Sequence, residues 1–242
     1  MKLQFCSLYI PIIKMHRVFA FPSDHKAKEC INLSVEQRRV IEEYTRSGYG
    51  DINKCLREKG ASRFMPKNVL EQVKTLQEMF QNIPTQTFPS DYVLYRGFFT
   101  PKMMTAKVGD FIQDLGFVST SESVETAFDF SRSCETDYFG DTKCCCVVEI
   151  SFLPDVEYKA LPICNMTTYD HEYEILFPPF TSFKIKEITS ANRDYSNQDH
   201  KVFKVVMYPP DVCPTQGGGG KNRKRKEYKL GNGKVLQIKW NN

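Results

Sequence analysis

EYEILFPPFTSFKI, residues 172–185, sets a short apolar run, 175–177, and an alternating stretch, 183–185, on either side of a Pro-Pro turn. β-Branched and aromatic residues suit strands, and Pro178 and Pro179 cannot donate to a ladder, so the stretch reads as strand, turn, strand. Two acids open the first strand. In period-2 geometry Glu172 and Glu174 share a face, about 7 Å apart along the strand, while Tyr173 faces away with Ile175 and Phe177. Such a pair is either the solvated edge of a strand or a carboxylate pair built for chemistry, since like charges this close perturb each other's protonation. The rest of the chain decides between them.

The flanking text supplies the frame. LSVEQRRVIEEYTRS, from Leu33, has Ser34 three residues before Gln37, the spacing of a capping box, and apolar residues at helical spacing follow. YGDINKCLREKG reads as a second short helix ending at Gly60. PKNVLEQVKTLQEMFQNIP carries Val69, Leu70, Val73, Leu76 and Phe80 on one stripe, with Pro66 near its start and Pro84 beyond its end. After this the pattern changes to short strand-like runs: YVLYRGFF, DFIQ, GFVSTS, CCCVVEISF, EYEILF, SFKIKEIT and HKVFKVVMY. One helical insert, ESVETAFDFSR, interrupts them. Helices first and strands afterwards predict an α+β fold, with a helical N-terminal part followed by a two-sheet mixed β core.

Charge separates the ends from the body. Residues 221–242 hold eight of the 33 Lys and Arg and one acid, a net of +7, so the other 220 residues carry −3 and the overall +4 comes from the tail. A body of that balance is not a nucleic-acid-binding surface. The expected organisation is an N-terminal extension or weak signal over 1–29, a folded domain over 30–212, and a Gly linker with a basic tail over 213–242. The tail would suit an anionic partner. No run of eighteen apolar residues occurs, so no membrane span is expected. The nine cysteines include no C-x-x-C pair, which leaves a zinc site unsupported. Cys30 and Cys213 would bracket the domain as a staple if the protein were secreted. The composition is that of an ordinary globular chain, expected to be soluble, inside the cell or secreted.

Three stretches fall in a telling order: LYRG with Arg96, GFVSTS with Ser119, and EYE with Glu172 and Glu174. With the helical lead-in YTRSGYGDINKCLR and the strand–turn–strand above, they resemble the arginine–serine–glutamate class of mono-ADP-ribosyltransferases over most of residues 33–208. The resemblance implies NAD as donor substrate, no metal, and a protein with an accessible arginine as acceptor. It implies that Glu174 stabilises the sugar cation and bonds the ribose 2′-hydroxyl, and that Glu172 meets the acceptor. Family members with glutamate at that first position tend to modify arginine; those with glutamine tend to modify other side chains. Arg96 would clamp the NAD diphosphate, Gly97 would approach the nicotinamide amide through its backbone, and Ser119 would orient Glu174. Thr120 and Ser121 would serve packing and capping. An aromatic after the STS strand would stack on nicotinamide, with Phe130 preferred to Phe128. Tyr169 would sit in the acceptor-binding loop. The rival outcomes are a dedicated NAD glycohydrolase and an inactive domain of the same fold used for binding. No G-x-G-x-x-G loop supports a Rossmann site.

Overall fold

The computed structural model describes residues 33–58, 61–98, 103, 105–132, 146–163, 173–192, 199–210, 226–229 and 235–238. Helix α1, Val35–Glu43, begins at the capping box read from the sequence. Ser34 Oγ accepts from the Gln37 amide at 3.2 Å, and Gln37 Oε1 accepts from the Ser34 amide at 2.9 Å. The expected break before a second helix is a wide π turn, Tyr44–Gly48, that runs directly into helix α2, Tyr49–Arg57. Such turns rotate the following residues about the axis and are frequent at functional sites. Helix α3, Lys67–Asn82, starts after Pro66 and buries Val69, Val73, Leu76, Met79 and Phe80. Lys159 Nζ donates to the Gln81 carbonyl at 2.6 Å, a cation on the negative end of α3.

The strands are β1 Gln86–Thr87, β2 Leu94–Phe98, β3 Phe111–Gln113, β4 Val118–Ser121, β5 Cys146–Ser151, β6 Glu157–Tyr158, β7 Leu161–Pro162, β8 Glu174–Phe177, β9 Ser182–Asn192 and β10 Asp199–Tyr208. Helix α4, Val124–Arg132, is the insert between β4 and β5. Eight strands run in the order β3-β9-β10-β5-β2-β4-β8-β7, and β1 pairs with β6. The sheet is mixed: β10 and β5 are parallel, while the other neighbours are antiparallel. Between β2 and β4 the ladder narrows to one pair, Tyr95 with Ser121. The core therefore reads as a five-stranded group and a three-stranded group joined at that pair. All described residues belong to the unit Ile31–Asn242. Near the C-terminus β11, Lys226–Lys229, pairs antiparallel with β12, Val235–Ile238.

Two apolar layers hold the sheet. Val40, Ile41, Tyr44, Ile52, Leu76 and Phe80 pack with Phe117, Leu161, Ile163 and Leu176. A second, aromatic cluster joins Phe88, Tyr92, Phe152, Tyr158 and Phe177, with the Phe88 and Phe152 rings stacked at 4.1 Å between centroids. The Tyr158 hydroxyl is satisfied inside it: it donates to the Met207 carbonyl and accepts from the Leu153 amide, both at 3.0 Å. Buried aromatics of this size dominate core energetics, and a partner for the hydroxyl is what makes a deep tyrosine tolerable.

Candidate active site

Strand β8 opens on Glu174, which is 8% exposed, and its four residues are all buried. Its antiparallel register with β4 sets Ser121 opposite Glu174 and Ser119 opposite Leu176. Opposed residues share a face, so Ser119, Ser121, Glu174 and Leu176 line one side of the pair. Ser121 is the direct cross-strand neighbour of Glu174 and Ser119 the diagonal one, about 7–8 Å away by sheet geometry. Thr120 lies on the other face, where its hydroxyl donates to the Ile175 carbonyl at 2.8 Å. Ser121 Oγ accepts from the Ser123 amide at 2.9 Å, and Ser123 Oγ accepts from the Thr126 amide at 3.1 Å. Ser121 thus braces the turn, and the cap of α4 is Ser123.

The strand does not begin where alternation predicts. Tyr173 has φ +47°, in the left-handed region, and precedes the first strand residue. The strand expected over EYEILF is therefore shorter, with Tyr173 before its first residue. A non-glycine residue held there costs about 1–3 kcal/mol and persists only where surrounding contacts enforce it. Glu172 and Tyr169 lie outside the described residues, as do His171, Cys30 and Cys213.

Arg96 points into the same region from β2. Its side chain is 11% exposed; Nη1 donates to the Ser119 carbonyl at 2.7 Å, and Nη2 lies 3.5 Å from Asp114 Oδ2. Burial lowers its pKa, the neighbouring Asp114 carboxylate opposes that, and it remains a guanidinium at any ordinary pH. Asp114 is a junction. It takes Arg57 in a bidentate pair, Nε to Oδ1 at 2.8 Å and Nη2 to Oδ2 at 3.0 Å, and accepts the Gly116 amide on Oδ1 at 2.9 Å. Bidentate charge-assisted bonds of this kind fix orientation as well as supplying energy. Gly116 has no room for a side chain: a Cβ there would lie 2.6 Å from Asn53 Oδ1 and 2.9 Å from Arg57 Nε.

Tyr44 and Asn53 close the site from the helical layer. Asn53 Nδ2 donates to the Tyr44 hydroxyl at 3.2 Å, and Asn53 Oδ1 accepts from the Phe117 amide at 2.8 Å. Burial pushes the Tyr44 phenol well up, and the Glu174 carboxylate pushes it further. The Asn53 hydrogen bond and the guanidiniums of Arg96 and Arg57 act the other way. The Tyr44 hydroxyl is thus neutral and within the electrostatic reach of the acid and both cations.

Gly97 has a packing reason for its identity. A Cβ there would lie 1.8 Å from the Ala127 carbonyl, so α4 crosses β2 directly over it. On α4, Phe128 is buried against Ala127 and Val147, whereas Phe130 is 43% exposed. Among the described residues no group of His, Cys, Asp and Glu could hold a metal ion, and no helix is long and apolar enough to cross a membrane.

The structure thus brings Arg96, Ser119 and Glu174 to one region and adds four residues the sequence reading gave no role: Tyr44, Asn53, Arg57 and Asp114. Signals for them existed. Asn53 and Arg57 are four apart and share a helix face, and Asp114 stands two before Gly116 in an Asx-turn arrangement.

Solved structures share this architecture. Vis, an ADP-ribosyltransferase toxin of Vibrio splendidus in complex with agmatine, aligns with a TM-score of 0.58 at 19% identity over 86% of each chain. The C3 exoenzyme of Clostridium limosum aligns with 0.52 at 17% identity, over 73% of this chain and 87% of that one. The ADP-ribosylating toxin BECa of a Clostridium perfringens binary enterotoxin, solved with NADH, aligns with 0.55 at 16% identity, over 73% of this chain and 44% of that one. No curated protein sequence matches. The family model described as ADP-ribosyltransferase exoenzyme matches residues 23–207, most of the chain, so this protein belongs to that family and NAD is the donor its chemistry uses.

Proposed function

We propose that the chain moves ADP-ribose from NAD to an arginine side chain of a target protein. The observation that carries this reading is Glu174: a buried carboxylate at the head of β8, cross-strand from Ser121, within the electrostatic reach of the Arg96 guanidinium. Cleavage breaks the bond between ribose C1′ and the nicotinamide nitrogen, and the electron pair leaves with nicotinamide. The sugar becomes oxocarbenium-like, as in glycoside hydrolysis, and a fixed carboxylate beside it stabilises the transition state more than the ground state. The acceptor nitrogen then attacks C1′ and gives up a proton, which Glu172 takes. Agmatine, bound in the Vis structure, carries the guanidinium of arginine, which supports this choice of acceptor. Water in the same place yields free ADP-ribose.

The diphosphate contacts divide between two guanidiniums. Arg57, with a side chain 40% exposed, is the accessible one, and Arg96, at 11%, supplies charge from beneath. Ser119 supports Glu174, Phe130 stacks on nicotinamide, and Gly97 offers backbone to its amide. Tyr169 contacts the acceptor. Asp114→Asn should expose the role of the junction, because one carboxylate oxygen becomes an amide N–H facing guanidinium donors. The expected result is a KM for NAD about tenfold higher in steady-state nicotinamide release, with kcat nearly retained. An unchanged KM would remove the junction from the donor site.

The basic tail is assigned to an anionic partner. Deleting residues 217–242 should leave transfer to agmatine intact and weaken binding to an acidic surface in a salt-dependent way. If the deletion stops NAD cleavage, the tail belongs to the catalytic unit. The function itself is tested by incubating the protein with NAD and agmatine and following nicotinamide and ADP-ribosylagmatine by chromatography.

A further inference from the structure

Tyr173 is a large residue in a left-handed conformation next to Glu174, and it is 53% exposed. Its own packing therefore does little to hold that backbone. The restraint comes from across the strand pair. The Glu122 amide donates to the Tyr173 carbonyl at 3.4 Å, extending the β4–β8 ladder one step past Ser121 and Glu174. Glu122 is itself tied down, since its carboxylate accepts a hydrogen bond from the Tyr92 hydroxyl. Tyr92 is 3% exposed, and its ring stacks on Phe88 at 5.3 Å and packs against Phe152 at 6.1 Å. A continuous path thus runs from the aromatic core through Tyr92 and Glu122 to the residue that precedes the buried acid. Burial raises the Glu122 pKa while the Tyr92 hydrogen bond opposes it, as for a carboxyl committed to one partner inside the protein.

We propose that Tyr92 and Glu122 form a positioning clamp that holds Tyr173 in its left-handed conformation and thereby fixes where the Glu174 carboxylate meets the sugar. The proposal rests on the transferase reading and adds two residues that need not touch NAD. Bonds made only by a positioning group act on the chemical step, because a misplacement of about 1 Å at a reacting centre can cost two orders of magnitude. They leave donor binding, which Arg57 and Arg96 govern, largely alone.

The test is a set of variants assayed for nicotinamide release at saturating and limiting NAD. Tyr92→Phe removes the hydroxyl and keeps the ring, and should lower kcat about tenfold with KM for NAD within about twofold. Glu122→Gln still accepts through its amide oxygen and should retain most of the rate; Glu122→Ala should not. Tyr173→Asn supplies a residue that tolerates the left-handed region unaided. In that background Tyr92→Phe should cost less than about twofold. Equal losses from Tyr92→Phe in both backgrounds would overturn the clamp and leave Tyr92 a core residue, and so would a wild-type rate in the single variant. If the unaltered protein releases no nicotinamide, the transferase reading fails, a result distinct from either of these.

Discussion

Glu174→Gln folds as the parent does and loses NAD cleavage by about two to three orders of magnitude, since one preorganised electrostatic group at a developing charge is commonly worth that much. Glutamine keeps the size and most of the hydrogen bonding. What it removes is the negative charge that the oxocarbenium-like sugar requires, so hydrolysis and transfer fall together. The site predicts this from burial: Glu174 is 8% exposed, and a charge in low dielectric acts with little screening. The check is nicotinamide release with and without agmatine, alongside a thermal melt to establish folding. Hydrolysis retained in a folded Glu174→Gln protein would move the catalytic acid elsewhere.

Glu172→Gln should behave differently. An arginine acceptor must be held by its guanidinium and relieved of a proton, and both need the carboxylate. Water also gives up a proton on attack, but solvent can take it and no guanidinium has to be held. Transfer to agmatine should therefore fall by at least about a hundredfold, taking general-base removal at its usual size, while NAD hydrolysis keeps much of its rate. Tyr173, in the left-handed region, stands between the two acids in sequence, and β8 begins only at Glu174. Parallel time courses of nicotinamide and ADP-ribosylagmatine decide it. Wild-type transfer by this variant would reduce Glu172 to a solvated residue beside the strand.

Much of this architecture could be read in the chain because local rules and tertiary fold agree. The capping box at Ser34, the stripe on α3 and the Pro-Pro end of β8 each act through neighbours in sequence, and each appears as expected, save that Leu70 of the stripe is only half-buried. Where long-range contacts set the outcome, the reading stopped short. Period-2 reasoning carried the strand through Tyr173, since nothing local marks a tyrosine for positive φ; the cross-strand amide of Glu122 lies 51 positions earlier. Arg57 and Asp114 are 57 residues apart and meet only in the folded chain, the one at the end of α2 and the other just past β3. The resemblance implies ligand approach at Gly97, yet its missing Cβ is first explained by α4 crossing above it. Arg96, Ser119 and Glu174 were legible because their order along the chain, with the flanking strands, forms a pattern. The helical wall of Tyr44 and Asn53 was present in the quoted text without roles, because a buried tyrosine and asparagine are ordinary core residues until the fold sets them beside an acid.

The central claim is that this chain cleaves NAD and places the ADP-ribose on a guanidinium. The most direct measurement is mass spectrometry of the full chain incubated with NAD and agmatine. The account predicts nicotinamide and ADP-ribosylagmatine in the parent protein, both lost in Glu174→Gln. It is contradicted if the parent releases nicotinamide without forming ADP-ribosylagmatine at any agmatine concentration, or if it leaves NAD intact.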